Sequence, residues 1–168
     1  MIRWSSVLLM IAAAALAGCG NLSRLGRSNG PPEVDQVDRL DLWVAPTAVQ
    51  LTSRLAPDGI EIRLYLFSSS PSSTQPGLVR KGQFQFLAYE GRAVAGTEKE
   101  PFFQWEYSAE QMRPYFGADK YGLGSYHASL SWVPKIPNSN TVTIIAQYLD
   151  PQGRVVVSAP ADVMTRSK

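Results

Sequence analysis

Between residues 60 and 67 the chain reads IEIRLYLF, with Ile60, Ile62, Leu64 and Leu66 alternating against Glu61, Arg63, Tyr65 and Phe67. A period of two belongs to a strand with one face on a core, because successive side chains leave the pleated backbone on opposite sides. On a helix the same four apolar residues would spiral around the axis and form no stripe. Asp58-Gly59 just before the run supplies a turn. This stretch therefore commits the chain to a sheet with one buried side, and that side needs a second layer to cover it.

Other segments share the texture. "QFQFLAY", residues 83 to 89, sets Phe84 and Phe86 on one side, but Leu87 and Tyr89 fall on the opposite parity. A bulge would explain that slip, and so would burial on both faces. "FFQWEY" groups Phe103, Trp105 and Tyr107, and "SYHASLSWV" groups Tyr126, Ala128, Leu130 and Trp132. "TVTIIAQYL" and "RVVVSA" are joined by Asp150-Pro151-Gln152-Gly153, four turn residues that make the clearest hairpin of the chain. A further strand falls within 41 to 52, and Pro46 places it at an edge. Ser108 and Gln111 have the spacing of a capping box, with Ala109, Met112 and Phe116 on one side and Pro114 as a stop, which predicts one short helix. The fold class is all-β: an antiparallel β-sandwich, immunoglobulin-like or transthyretin-like, of six to seven strands with one short helix. Its core takes in Ile62, Leu64, Phe84, Phe86, Trp105, Leu130, Trp132, Val142 and Ile144.

The N-terminus has a different grammar. Arg3 is followed by an unbroken apolar run from Val7 to Ala17, then by small residues before Cys19, the only cysteine. That order is a secretory signal peptide. The apolar run, as a helix about 16 Å long, is too short to span a hydrocarbon core of about 30 Å, and no later segment is long enough either. Leu16-Ala17-Gly18-Cys19 resembles the lipobox of bacterial lipoproteins at all four positions. The resemblance implies that Cys19 carries a diacylglyceryl thioether, that cleavage falls before it, and that the new N-terminus is acylated, for instance by palmitate. Several acyl chains on one residue make a durable anchor where a single chain holds only marginally. With one cysteine no intramolecular disulfide can form. Gly20 and Asn21, rather than an aspartate, follow the cysteine, and in that family this implies the outer membrane. The expected organisation is thus a signal peptide over 1–18, the lipidated cysteine and a flexible tether over 19–37, and a β-sandwich over 38–168. The tether follows from "GNLSRLGRSNGPPEVDQ", rich in Gly, Ser, Asn and Pro and poor in apolar residues.

Within the domain, "PDGIEIRLYLF", "FQFLAYEG", "YGLGSYHASLSW" and "VTIIAQYLDPQGRVVVSAP" are similar to stretches of uncharacterised small β-sandwich lipoproteins of bacteria. That resemblance covers most of residues 40 to 160. It implies the fold and carries no activity. Removing Arg3 with the signal peptide lowers the formal charge from +2 to +1, with both signs interspersed. A basic footprint for nucleic acid is missing.

Candidate chemistry is sparse. His127, the only histidine, shares strand parity with Ser125, Ser129 and Ser131, and a histidine beside a serine is the start of a nucleophilic site. No G-x-S-x-G elbow is present, and residues two apart on a strand are a solvated face first. Glu98, Glu100, Glu106 and Glu110 cluster in sequence, but a glycosidase pair needs a cleft between its carboxyls. One histidine and an acylated cysteine leave zinc without its usual ligands, so the expectation is no catalytic residue, no metal and no cofactor. "YGLGSY" lacks the third glycine and the following helix of a dinucleotide turn. The stretch 68 to 80, "SSSPSSTQPGLVR", is long for a loop in a compact domain, and such loops are functional or mobile. Aromatic residues are concentrated between Phe102 and Trp132. From these features Ser70, Gln75, Tyr121 and His127 are the candidates for contact with a ligand or partner, and Cys19 is the lipidation site.

The function these features suggest is a lipid-anchored, non-enzymatic β-sandwich of the cell envelope, a binding or assembly component whose partner is an envelope protein or a carbohydrate. The alternatives are an accessory lipoprotein of a secretion or efflux machine and a small envelope hydrolase. A hydrolase needs a concave pocket with convergent polar groups, whereas a binding module presents a flat patch or a strand edge.

Overall fold

The computed structural model describes residues 31–54, 56–69, 74–94, 96 and 99–165. Cys19, the signal peptide, most of the expected tether and Ser70 lie outside the described residues. The strands are β1 (Arg39–Val44), β2 (Gly59–Phe67), β3 (Gln83–Glu90), β4 (Phe103–Ser108), β5 (Phe116–Ala118), β6 (Gly124–Ser131), β7 (Thr141–Leu149), β8 (Val155–Val157) and β9 (Ala161–Met164). They form two antiparallel sheets, one ordered β1-β2-β6-β5 and one ordered β4-β3-β7-β8, with β9 also paired to β7. The architecture is the β-sandwich that the alternation predicts.

The alternating faces meet between the sheets. Ile60, Ile62, Leu64 and Leu66 of β2 are all buried, as are Phe84, Phe86, Leu130, Trp132, Val142 and Ile144. Phe84 is tilted against Tyr126 at 5.2 Å and against Tyr148 at 5.4 Å between ring centroids. Each phenol finds a polar partner. Tyr126 Oη accepts from the Val79 N–H at 3.0 Å, and Tyr148 donates to Lys81 O at 2.8 Å. Burial holds the Tyr126 phenol far above its ordinary pKa, so it stays neutral in the core. Trp105 donates its indole N–H across the sandwich to Ser131 O at 2.7 Å.

The slip of parity in β3 is burial on both faces, not a bulge. Its ladder with β7 runs unbroken from Gln83↔Leu149 to Glu90↔Val142. Leu87, Tyr89 and Ile145 form a second buried cluster on the outer side of that sheet, with Ala93 packed on it. A bulge does occur elsewhere, between β8 and β9. The register against β7 advances by one residue from Gln147↔Val157 to Ile144↔Ala161. Ser158 fills the gap, because its Oγ accepts the Ala146 N–H at 3.0 Å. The extra residue reverses parity, so that Val156 faces inward before it and Ala161 and Val163 after it.

The short helix α1 (Ala109–Met112) carries both halves of the capping box, with Gln111 N–H donating to Ser108 Oγ at 3.1 Å and Ser108 N–H to Gln111 Oε1 at 2.8 Å. The β7–β8 hairpin closes on Asp150, whose carboxylate accepts from the Gln152 and Arg154 N–H groups at 2.9 and 2.8 Å. Gly153 there has φ +88°, a conformation that favours glycine.

Two expectations change. The described strands number nine rather than six to seven, the additions being β5 and β9, which are only three and four residues long. The packed unit also begins at Pro31 rather than at residue 38. Val34 and Val37 are buried, and Val34 N–H donates to Leu78 O at 2.9 Å while Leu78 N–H donates to Pro32 O at 2.7 Å. Gly77 makes this approach feasible, since a Cβ there would lie 2.5 Å from Pro32 O. Two lone valines among Gly, Pro and acidic residues are enough to dock seven residues, once a second strip of chain, Pro76 to Val79, lies beside them.

Candidate functional site

The parity that buries Ile62 and Leu64 turns the odd residues of β2 to the other side of the first sheet. Cross-strand register then assembles rows on that outer face. Trp43 of β1 pairs with Arg63 of β2, and Arg63 with His127 of β6. On one side of this row Glu61 pairs with Ser129, and on the other Asp41 pairs with Tyr65. The Arg63 guanidinium lies 4.9 Å from the Trp43 ring centroid, and 45 % of Trp43 is exposed. Trp43, Glu61, Ile62, Arg63, His127, Ala128 and Ser129 line a depression of about 250 Å³. That is below the roughly 300–1,000 Å³ of sites that enclose a drug-sized ligand.

Beside the depression runs a chain of polar groups. Ser125 is fully buried, and its Oγ lies 2.7 Å from His127 Nε2. Tyr65 donates to Asp119 Oδ2 at 2.9 Å, and Asp119 Oδ1 accepts the N–H groups of Tyr121 and Leu123 at 2.8 and 2.9 Å. Burial works to raise the Asp119 carboxyl. The Leu123 and Tyr121 N–H groups, the Tyr65 hydroxyl and the nearby Arg63 charge outweigh it and hold the carboxyl below its ordinary value. Burial, then the bond to Asp119, pushes the Tyr65 phenol up. This is a charge-assisted tie between β2 and the turn after β5.

The histidine therefore differs from the solvent-facing residue of the strand-phase argument. It is half-buried, and its partner is Ser125 rather than Ser129. A serine and a histidine at 2.7 Å have the contact of a nucleophile and its base. The accessory group is misplaced for catalysis, because Asp119 is spent on Tyr65 and backbone amides. The hydroxyl itself is closed off from any substrate by complete burial.

Of the contact candidates, only His127 lines this depression. Tyr121 is 74 % exposed on the turn after β5, with the Lys120 ammonium 4.9 Å from its ring centroid. Gln75 is exposed in the 68–80 stretch, and Ser70 lies outside the described residues. The carboxylates do not converge either: Glu106 is bonded to Gln85 at 3.1 Å and also to Gln104, while Glu110 sits in the first turn of α1. Among the described residues no three His, Cys, Asp or Glu side chains gather as a metal site would require.

Two further depressions have similar volumes, about 210 Å³ beside Arg80 and Arg113 and about 230 Å³ beside Gln83 and Gln111. Size does not choose among them; side-chain pairing does. Arg80 is bonded to Glu33 at 2.6 Å, whereas Arg63 and Glu61 make no side-chain hydrogen bond or ion pair with a described residue. Trp43 and Arg63 were not among the sequence candidates. Their signal was present, since Trp43 falls on the polar parity of Arg39 and Asp41, opposite Leu40, Leu42 and Val44. An aromatic out of phase with its strand is turned to the outer face, where Trp43 is 45 % exposed although Tyr89 of the second sheet is covered.

The chain matches no protein-family model, no curated protein and no solved structure. Among the described residues no helix is long and apolar enough to cross a membrane.

Proposed function

We propose that the protein is a lipid-anchored, non-enzymatic binding module of the cell envelope, held by Cys19 in the outer membrane, and that it meets its partner through the outer face of the first sheet. The lipobox residues Leu16 to Cys19 support the anchoring half of this reading. One observation carries the binding half: an exposed tryptophan stands beside an arginine that forms no ion pair with a described residue, on the outer face of the first sheet. Structural arginines on such a face are paired, as Arg39 is with Asp41 at 3.2 Å. Exposed aromatic and arginine side chains are what contact surfaces concentrate. The hydrolase alternative rests on the Ser125–His127 contact, and the burial of Ser125 weighs against it.

Two measurements test the two halves separately. Cys19→Ser should release the folded protein from the membrane fraction, and continued sedimentation through washing would sink the anchor. A photo-crosslinking residue at Trp43, and a second one at Val155 on the other sheet as control, should give an adduct in intact cells only from Trp43. Equal adducts from both positions would remove the preference for this face.

A further inference from the structure

Taking the binding reading as its base, we infer that the depression beside Trp43 is a site for a neutral carbohydrate, one pyranose ring resting on the indole. Three features of the site select this chemistry. The first is charge. Glu61 and Arg63 stand two residues apart on the same face of β2, yet they form no ion pair with each other or with another described residue. The lining thus sets one negative and one positive group side by side, neither held in an ion pair, with the guanidinium stacked on Trp43. A carboxylate or phosphate ligand would gain at Arg63 and lose at Glu61. A sugar hydroxyl brings a donor and an acceptor together without net charge, so adjacent hydroxyls can donate to Glu61 and accept from Arg63.

The second feature is the absence of main-chain partners. The floor centres on β2, which is paired on both sides through Trp43↔Arg63 and Arg63↔His127, so the main chain at its centre is taken up by the ladders. An extended peptide adds to a sheet through free edge N–H and C=O groups, and here those lie along the outer edge of β1, in the plane of the sheet rather than on the floor of the depression. What it offers are side-chain groups: the carboxylate of Glu61, the guanidinium of Arg63, the imidazole of His127 and the hydroxyl of Ser129. The third is the indole itself. Its exposed surface is a flat apolar platform ringed by these polar groups, and a pyranose has an apolar C–H face edged by hydroxyls. The guanidinium already stacked on the ring keeps the indole from swinging away. The volume of about 250 Å³ suits a single ring-sized unit, with further residues of a glycan passing over the flat sheet beyond.

The test is titration of the full chain with cellobiose and chitobiose, two neutral β-1,4 disaccharides with flat C–H faces. The readout is the Trp43 indole N–H resonance together with the backbone amide resonances of Arg63 and His127, which also serve the Trp43 variants, with the uronate counterpart of cellobiose, inorganic phosphate and a short peptide as comparison probes. The expected result is weak saturable binding of at least one disaccharide, with an affinity on the order of millimolar. It should be unchanged when salt is raised, since no net charge is exchanged. Trp43→Ala should lower affinity by more than about tenfold, Trp43→Phe by less, and Arg63→Gln and Glu61→Gln by about three- to tenfold each. Retained thermal unfolding midpoints show that the variants are folded. Three results would overturn the inference. These are no shift of the Trp43 resonance with either disaccharide, tighter and salt-sensitive binding of the uronate or phosphate, and preference for the peptide. None of them bears on the anchor, and failure of the anchor leaves this titration unaffected.

Discussion

The two sheets of this sandwich treat their outer faces differently. On the first sheet the outer face is open and polar, with Trp43, Glu61, Arg63, His127 and Ser129 around a shallow depression. On the second, Leu87, Tyr89 and Ile145 are buried beneath the chain that follows β3. That chain is pinned down: Gly91 N–H donates to Thr141 O at 2.8 Å, and Ala93 N–H donates to Thr143 Oγ1 at 3.1 Å. Both sheets contribute equally to the core between them, so the core does not explain the contrast. The outer side of one sheet is closed by the protein's own chain, and that of the other is left for something else to meet. An exposed aromatic on the open side thus carries information that a buried one on the closed side does not.

The sharpest way to break that comparison is to truncate one large residue on each outer face. Ile145 is 2 % exposed, so Ile145→Ala should cost about 2–4 kcal/mol through lost burial and a residual cavity. Trp43→Ala removes more atoms but should cost only about 1 kcal/mol, most of it the contact with Arg63. Denaturant unfolding of both variants measures the difference. Equal costs would mean that the first face is packed like the second, and that its exposure says nothing about partners.

A smaller effect is expected at the edge of the open face. His127→Ala leaves the buried Ser125 hydroxyl without the partner it has at 2.7 Å, and an orphaned buried hydroxyl costs about 1 kcal/mol. The same unfolding measurement applies. A loss well above 2 kcal/mol would show that His127 supports more than one hydroxyl.

How much of this was legible in the chain depends on the length of the signal. The long strands β2, β3, β6 and β7 were readable because eight or nine residues repeat a period often enough to be recognised. The capping box of α1 and the Asp150 turn were readable because each is a local device complete within four or five residues. Strand β8 was readable only because the Asp150 turn points at RVVVSA, whereas β5 and β9 were not, since three or four residues hold barely two repeats of a period. The bulge at Ser158 then reverses the parity between β8 and β9 and hides their continuity along β7. Docking of Val34 and Val37 depends on residues 76–79, more than forty positions away, and no local pattern reports that. At the site, the parity of Ser125, His127 and Ser129 was legible, but not the burial of Ser125. It is covered on the outer face by His127, at 2.7 Å, and by Tyr65, whose hydroxyl interacts with it.

A local effect of acid sharpens the picture at the lower end of the open sheet. Asp38 accepts from the Ser69 N–H at 2.7 Å, from Arg154 Nη1 at 2.9 Å and from Gln36 Nε2 at 3.0 Å. These bonds, the backbone one first, hold its carboxyl well below the ordinary carboxylate range. A carboxyl lowered by folding contributes its stability above the unfolded pKa, near 4, and loses it as pH falls through the folded value. Amide-exchange protection at Ser69 should therefore decline as pH is lowered below about 4, with the core unchanged. Asp38→Asn should weaken that protection already at neutral pH and remove its dependence on acid. Protection at Ser69 that is unaffected by either change would show that the carboxylate does not hold this end of the sheet.

The smallest expected effect is at Ser129, and it tests how far the open face extends. Ser125 and Ser129 share parity on β6 and flank the same histidine. Tyr65 and His127 lie against the Ser125 hydroxyl and it is buried, whereas Ser129 is exposed. Its hydroxyl makes no hydrogen bond with a described residue, so Ser129→Ala removes a solvated group and nothing else. Its cost should stay within about 0.5 kcal/mol, as surface changes do. Ser125→Ala, the same chemical change four residues earlier, should cost clearly more, because it strands the His127 nitrogen that it now satisfies. If the two substitutions cost the same, the boundary between covered and open lies elsewhere on β6, and the depression beside Trp43 ends short of the hydroxyl assigned to it. If Ser129→Ala alone is neutral, the open face reaches at least one strand pair beyond His127, and that hydroxyl is free for a ligand.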